Sequence, residues 1–332
     1  MIRIGVICPS EIAFRRFMPA LLKQENFLFV GVAIADESEW KGVNQSVEKE
    51  KANAFVVDYG GKVFDSYTSI INSDEVDAIY IPLPPALHFK WAELALKAGK
   101  HVLSEKPATT SLADTEYLIK LAAQKSLAFH ENYMFAFHNQ LSALDDIIAS
   151  GEIGEVRLYR ISFGFPRRAA NDFRYNKTLG GGALLDAGGY TIKYASMLLG
   201  ETTKLVCAHS QYIDTFEVDI AGSATLVNDA GITAQIAFGM DNSYKCDLEV
   251  WGSLGTLTSG RVLTAPAGFV PEVIIKKGNE EVVKQLPEDD AFMKSIALFG
   301  QCVADISLRH KNHTAILQQA ELVEEFIKHS KS

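Results

Sequence analysis

The sequence predicts an α/β protein in which an N-terminal doubly wound parallel sheet is followed by an α+β half with an open, mainly antiparallel sheet. Over about the first hundred residues, short β-rich runs alternate with longer amphipathic segments, the mark of crossover units on a parallel sheet. From near residue 125 the runs alternate apolar with polar side chains, as half-buried strands do. The 332 residues, 48% hydrophobic and 22% charged, are chain enough for two domains with full cores.

Taken in order, Ile2–Cys8 reads as a strand, Ile12–Lys23 as a helix and Phe27–Ala35 as a second strand. Asp77–Pro82 is a near-continuous apolar run, Phe89–Ala98 is helical, and His101–Leu103 returns to the sheet before Glu105-Lys106-Pro107. Beyond the change of pattern, Val156–Phe165 puts Tyr159, Ile161, Phe163 and Phe165 on one face, and Gly231–Met240 does the same with Ile232, Ala234, Ile236, Phe238 and Met240. Lys204–Ile213, Val218–Val227, Tyr244–Trp251 and Pro271–Lys276 complete an open sheet of about six strands, and Ala183–Leu199 is a helix led in by glycines. Two helical patterns, Ala291–Arg309 and Thr314–Lys328, end the chain. The division expected is a nucleotide-binding domain over 1–124 and a substrate-binding and oligomerisation domain over 125–332, with the closing helix packing back on the first. The segment Arg261–Asp290 has strand-like pieces and no chemistry that can be named.

A net charge of −9 argues against nucleic acid or an anionic membrane as the main partner. The first apolar run, Ile4 to Cys8, is too short for a secretory signal or a spanning helix. Cys8, Cys207, Cys246 and Cys302 are widely separated with no metal-ligand spacing. These features predict a reduced, cytoplasmic protein without a structural metal.

A strand, tight turn and helix converge backbone N–H groups and the positive helix end on one spot, where a pyrophosphate binds. Set against the GxGxxG/A fingerprint, the three positions hold Cys8, Ser10 and Ala13, with Glu11 and Ile12 between them. An ordinary strand-to-helix turn is an equal reading of that segment alone. Asp36 closes the second strand where the fingerprint expects an acid for the adenosine ribose, which favours NAD by repelling a 2′-phosphate; a solvated loop acid is the alternative.

Lys106 follows a parallel strand at the carboxyl edge of the sheet, where ligands bind and where its charge can depress the pKa of a neighbouring phenol. Gly180-Gly181-Gly182 leads into a helix on which Asp186 and Tyr190, at i and i+4, share a face. Gly188 and Gly189 inside that helix imply close approach of a nicotinamide ring, a sugar or a packed sheet. A surface lysine and a partly buried tyrosine are the plain readings of Lys106 and Tyr190 taken singly; together the set suits hydride chemistry, in which the cofactor carries the hydride and the protein supplies orientation and a proton. Arg167, Arg168 and Arg174 precede the glycines and suit a substrate diphosphate, Arg174 better than the other two.

In combination these residues resemble the glucose-fructose oxidoreductase, inositol dehydrogenase and rhizopine-catabolism (Gfo/Idh/MocA) family of NAD(P)-dependent oxidoreductases. The resemblance runs through Glu105-Lys106-Pro107, Gly180-Gly181-Gly182-Ala183-Leu184-Leu185-Asp186, Trp251-Gly252-Ser253-Leu254-Gly255-Thr256 and the closing helix. Many members carry His where this chain has Tyr190. The tyrosine form points to a subgroup of glucose-fructose oxidoreductase, dihydrodiol dehydrogenases and nucleotide-sugar 3-ketoreductases. Ile12-Ala13-Phe14-Arg15-Arg16, Pro19-Ala20-Leu21, Glu131-Asn132-Tyr133-Met134-Phe135 and Asp172-Phe173-Arg174-Tyr175 look most like the last of these.

The resemblance implies a Rossmann domain, Lys106 and Tyr190 as catalytic pair, and Asp186 beside the substrate hydroxyls. It also implies a cofactor-binding set of Cys8, Ser10, Glu11, Ile12, Ala13, Asp36, Leu83, Pro84, His88, Glu105 and Lys106, to which Arg174 is added, and no metal. A homodimer or homotetramer through the C-terminal sheet follows by the same route. Relatives usually have Gly where Cys8 stands, and NADP-preferring ones often end the second strand with Ser-Arg, so the choice between NAD and NADP leans to NAD. The activity expected is hydride transfer between nicotinamide and a sugar or nucleotide sugar. A trans-dihydrodiol or free-sugar dehydrogenase is the alternative enzyme, and a non-catalytic NAD(P)-binding sensor the alternative of another class.

Overall fold

Ile4, Val6 and Ile7 are all fully buried, so the first strand, β1 (Ile2–Ile7), is covered on both faces as a central parallel strand is. It opens the computed structural model, which describes residues 1–330. A helix follows, α1, π-form over Ala13–Phe17 and α-form over Met18–Leu21. Then come β2 (Phe27–Ala33), α2 (Gln45–Tyr59), β3 (Lys62–Phe64), α3 (Tyr67–Ile71), β4 (Ala78–Ile81), α4 (Pro85–Lys97), β5 (His101–Glu105), α5 (Leu112–Gln124) and β6 (Phe129–Asn132). Side-chain caps fix where the polar-started helices begin: Asn44 accepts from Val47 N–H, Ser66 from Ser69 N–H and Ser111 from Asp114 N–H.

The six strands pair in the order β3-β2-β1-β4-β5-β6, every pair parallel. Strand order reverses between β1 and β4, the topological switch point at whose carboxyl edge open α/β sheets bind ligands. Ile7, Tyr67, Ile79, Ile81, Trp91, Val102, Leu118 and Phe129 belong to one core beside the sheet.

The second unit holds α6 (Asn139–Ala149), β7 (Val156–Gly164), α7 (π-form Leu184–Gly188, then α-form Gly189–Leu199), β8 (Lys204–Gln211), β9 (Ala221–Val227), β10 (Thr233–Gly239), β11 (Lys245–Gly252), β12 (Thr256–Gly260), β13 (Glu272–Lys277) and β14 (Glu280–Gln285). Its eight strands run β14-β13-β12-β11-β7-β10-β9-β8. The expected alternation holds where it decides burial: Tyr159, Ile161, Phe163, Ala234, Ile236 and Phe238 are buried, and α7 packs on β7 and β10.

Two expectations change. The sheet has eight strands rather than about six; it is mainly antiparallel, as expected, with one parallel pair, β10 beside β7, while the other partner of β10, β9, is antiparallel. The chain reaches β10 only after α7 and the β8–β9 hairpin, which brings it back in the direction of β7. Residues 261–290 supply the β13–β14 hairpin that extends the sheet. At the end of the chain, α8 (Ala291–Ala304) and α9 (Ile306–His329) meet at Asp305 rather than between 309 and 314. The Asp305 carboxylate accepts from Ser307 N–H at 2.8 Å and Leu308 N–H at 3.1 Å, so α9 starts there.

The compact units comprise 1–133 with 292–317, and 134–291 with 318–332. β6 and the segment 292–317 go with the first unit. Ile316 sits in its core, and Asn312 donates to the Phe129 carbonyl on β6. Among the described residues, no helix is long and apolar enough to cross a membrane.

Candidate active site

The chain leaves β1 through a turn whose shape normally calls for glycine. Cys8 has φ +74°, in the left-handed region that non-glycine residues enter at a cost of about 1–2 kcal/mol. Its N–H donates to Ala33 O at 3.0 Å, Ser10 N–H donates back to Cys8 O at 2.8 Å, and Ser10 Oγ accepts from Ala13 N–H at 3.3 Å. The first fingerprint position thus keeps glycine's backbone with a cysteine in it. The thiol packs against the core that holds Tyr67, and burial pushes it up to about 12, so it is a neutral filler. The buried Tyr67 hydroxyl beside it makes no other hydrogen bond.

Ala13 is fully buried, while Glu11 and Ile12 are exposed at the head of α1, Glu11 paired with Arg15 at 3.1 Å. Asp36 follows β2, as expected, but its Oδ1 accepts from Ser38 N–H, Ser38 Oγ and Glu39 N–H at 2.7, 2.6 and 2.9 Å. The Ser38 hydroxyl and those backbone donors hold Asp36 below its ordinary pKa and commit that oxygen to its own loop.

Lys106 sits in a turn fixed at each neighbouring residue. Before it, Glu105 accepts from Tyr80 Oη and from Asn132 Nδ2, both at 2.7 Å. Burial raises the Glu105 pKa, and those two donors oppose the rise. After it, Pro107 O faces His88 Nδ1 at 2.7 Å, and Ala108 N–H donates to Glu131 Oε1 at 2.7 Å. The other His88 nitrogen meets Leu83 O at 2.7 Å, so the fully buried ring straps the loop after β4 to the loop after β5. Burial pushes His88 below its ordinary pKa, against the pull of the two carbonyls. With both nitrogens facing backbone carbonyls, His88 positions the turn that carries Lys106. Leu83 is buried and Pro84 half-buried at the start of α4.

In the second unit, the triple glycine is explained by its neighbours. Gly180 has φ +77° and Gly182 φ +120°; a side chain on Gly181 would collide with Arg174 O, and one on Gly182 with Asp219 Oδ1. Gly182 N–H donates to Arg174 O at 2.9 Å, and the Arg174 guanidinium turns back to bind Asp186 Oδ2 through Nε at 2.6 Å and Asp172 Oδ1 through Nη1 at 3.1 Å. Burial works against the Arg174 charge, and the carboxylates of Asp186 and Asp172 outweigh it, leaving the pKa raised.

Tyr190, half-buried one turn after Asp186, packs edge-on to Phe163 at 5.3 Å and against Phe135 at 5.6 Å between ring centroids. Gly188 has a plain cause: a Cβ there would stand 2.9 Å from the Phe238 ring, so α7 lies tight on β10. Both α1 and α7 open in π form, which recurs at functional sites.

The structure gathers Cys8, Ser10, Ala13, Leu83, Glu105 and Lys106 at the strand ends of the first unit, and Arg174, Asp186 and Tyr190 around α7 of the second. Arg174, expected among the cofactor residues, pairs with Asp186. Arg167 pairs with Asp241 and lies over Phe216, and Arg168 lies over Phe165. Sequence reasoning missed Tyr80, Glu131 and Asn132, which hold the lysine turn, and Asp219. Polar residues inside otherwise apolar strands, as in Phe129-His130-Glu131-Asn132, were the available signal.

Comparison with known proteins agrees over the whole chain. Residues 2–133 match the oxidoreductase family with an NAD-binding Rossmann fold, GFO/IDH/MocA, and residues 141–258 match the GFO/IDH/MocA C-terminal domain. The chain is 38% identical over 323 residues to a dTDP-3,4-didehydro-2,6-dideoxy-α-D-glucose 3-reductase of Actinomadura kijaniata, covering 97% of this chain and 94% of the relative. A Streptomyces violaceoruber protein of the same name is 37% identical at the same coverage. Among solved structures, KijD10, a 3-ketoreductase from Actinomadura kijaniata in complex with TDP-benzene and NADP, superposes with a TM-score of 0.89 at 37% identity, over 99% of this chain and 97% of that one. An aldose-aldose oxidoreductase from Caulobacter crescentus, 21% identical with a TM-score of 0.84, shares the fold. The chain is thus a nicotinamide-dependent oxidoreductase and belongs to the GFO/IDH/MocA family.

Proposed function

We propose that this chain is a 3-ketoreductase of dTDP-linked deoxysugars that uses NADPH. The observation that carries the reading is likeness along the entire chain to relatives bearing one activity: four dTDP-3,4-didehydro-2,6-dideoxy-α-D-glucose 3-reductases are 32% to 38% identical over 97% of it. A trans-1,2-dihydrobenzene-1,2-diol dehydrogenase matches only 42% of the chain, which favours the sugar over the diol.

The nucleotide turn fits a dinucleotide. Its backbone takes the left-handed form at Cys8, the thiol is turned into the core, and α1 begins just beyond Ser10. Cys8, Ser10, Glu11, Ile12 and Ala13 would hold the pyrophosphate, with Leu83, Pro84 and Glu105 near the ring. When bound, the nicotinamide supplies the hydride. Tyr190 gives its phenolic proton to the C3 oxygen as negative charge develops there, and Lys106 steadies that oxygen with its ammonium. Asp186, oriented by Arg174, accepts from sugar hydroxyls and fixes the ring. Solved forms of KijD10 include one with a tyrosine changed to phenylalanine and others with a lysine changed to alanine or glutamate, all in complex with TDP-benzene and NADP, which supports the choice of Tyr190 and Lys106.

NADPH is preferred because the KijD10 structures hold NADP and because an oxygen of Asp36 is taken up by Ser38 and Glu39. For assembly, the open face of the C-terminal sheet suits a second copy: Trp251 is 53% exposed there.

The test is NADPH oxidation with a dTDP-3-keto-2,6-dideoxysugar. Turnover in the wild type, with losses of about 10²–10⁴ in kcat for Tyr190→Phe and Lys106→Ala, is the expected result. Turnover of free sugars or diols with an inert dTDP-ketosugar would overturn the substrate assignment.

A further inference from the structure

Helix α7 carries Asp186 and Tyr190, yet it has no cap of its own. The residue before its first turn, Ala183, offers no side-chain acceptor, and Gly180 to Gly182 offer none either. The acceptor comes from 35 residues further along the chain: Asp219 Oδ2 takes the Leu184 N–H at 2.7 Å, and Asp219 O takes the Ala183 N–H at 2.9 Å.

Asp219 stands just before β9, between the buried Val218 and Ile220, whose N–H and C=O are both used: Ile220 donates to Gln211 O at 2.8 Å, and Met240 donates to Ile220 O at 2.9 Å. The carboxylate is therefore delivered from a segment pinned to the sheet. Gly182 is shaped to it, since any side chain there would strike Asp219 Oδ1. The helix start is gripped from its other side by Arg174, which holds Gly182 N–H through its carbonyl and Asp186 through its guanidinium.

We infer that Asp219 is a positioning residue for the reduction: by capping α7 at Leu184 it sets the angular and axial place of Asp186 and Tyr190, without touching substrate or cofactor. The inference rests on Tyr190 being the proton donor. Because Asp186 lies two residues beyond Leu184 and Tyr190 one turn later, a frayed first turn displaces both, and a displacement of about 1 Å can cost on the order of 10²-fold in rate.

The experiment compares Asp219→Ala and Asp219→Asn with the wild type. Asparagine keeps a carbonyl oxygen to accept the Leu184 N–H, whereas alanine removes it. Steady-state kinetics with NADPH and the dTDP-ketosugar should show kcat down by about tenfold or more in Asp219→Ala, with KM for NADPH unchanged, and rescue to within about threefold in Asp219→Asn. Amide hydrogen exchange, which needs no substrate, should show Leu184 and its neighbours losing protection in Asp219→Ala and keeping it in Asp219→Asn. Full kcat in Asp219→Ala, or equal loss in both variants, would overturn the positioning role, and so would unchanged exchange at Leu184. Tyr190→Phe run alongside separates the cases: if it retains full turnover, the proton-donor assignment fails, and with it the catalytic consequence of the cap.

Discussion

Cys8 shows how far a single backbone angle decides what a turn accepts. At φ +74° an unbranched side chain is tolerated, and a β-branched one is forced against its own backbone. Cys8→Val is expected to lower stability by about 1–2 kcal/mol and to weaken NADPH binding, while Cys8→Gly stays within about 1 kcal/mol of wild type. Denaturant titration and cofactor fluorescence measure both; a Cys8→Val protein with unaltered stability and affinity would contradict the left-handed assignment. The fingerprint at Cys8, Ser10 and Ala13 was legible as small residues after a strand, but the left-handed conformation was not, because cysteine gives no sign of it. Lys106 and Tyr190 were legible by position after a strand and on a helix. What the sequence did not say of His88 and Arg174 is which of their polar atoms are already engaged, here by two carbonyls and two carboxylates respectively.

Where segments return from far along the chain, the elements are held by buried and half-buried histidines whose charge state matters. His101 Nδ1 accepts from Ala128 N–H at 2.9 Å, and His313 Nε2 accepts from Phe129 N–H at 3.3 Å, both just at the entry to β6. Burial, with Arg309 nearby, lowers each to about 4. A histidine with a depressed folded pKa contributes stability above its unfolded value of about 6.5, and that stability drains away as pH falls toward the folded value. The protein should therefore lose stability between about pH 6.5 and 4, and His313→Gln should flatten that limb; denaturant midpoints across the range would show it, and an identical slope in the variant would exclude His313 as a source. Periodicity revealed β1, β2, β4, β5 and the alternating strands of the second sheet. It missed the short β3, β6, β12 and β14, whose three to six residues carry too few repeats. The α8–α9 boundary was displaced because apolar spacing continues through Asp305 while the cap ends the helix there.

For the whole molecule, the open face of an eight-stranded sheet and a net charge of −9 set what it meets. A homodimer through that face is expected by light scattering, and Trp251→Glu, which puts a charge in place of a half-exposed ring, should shift the mass toward monomer; a wild type that is monomeric at all concentrations would contradict it. Fold class was legible because sheet type is written in the change from continuous apolar runs to alternation. The parallel pairing of β7 with β10 was not, since periodicity is blind to strand direction. The proposed substrate class lay beyond any periodic signal and rests on likeness over the full chain. The decisive measurement is NADPH oxidation by the purified protein with a dTDP-3-keto-2,6-dideoxysugar, wild type beside Tyr190→Phe. Turnover in the wild type with a loss of about 10² or more in the variant is the outcome expected; no turnover of that substrate, or full activity without the phenol, would contradict it.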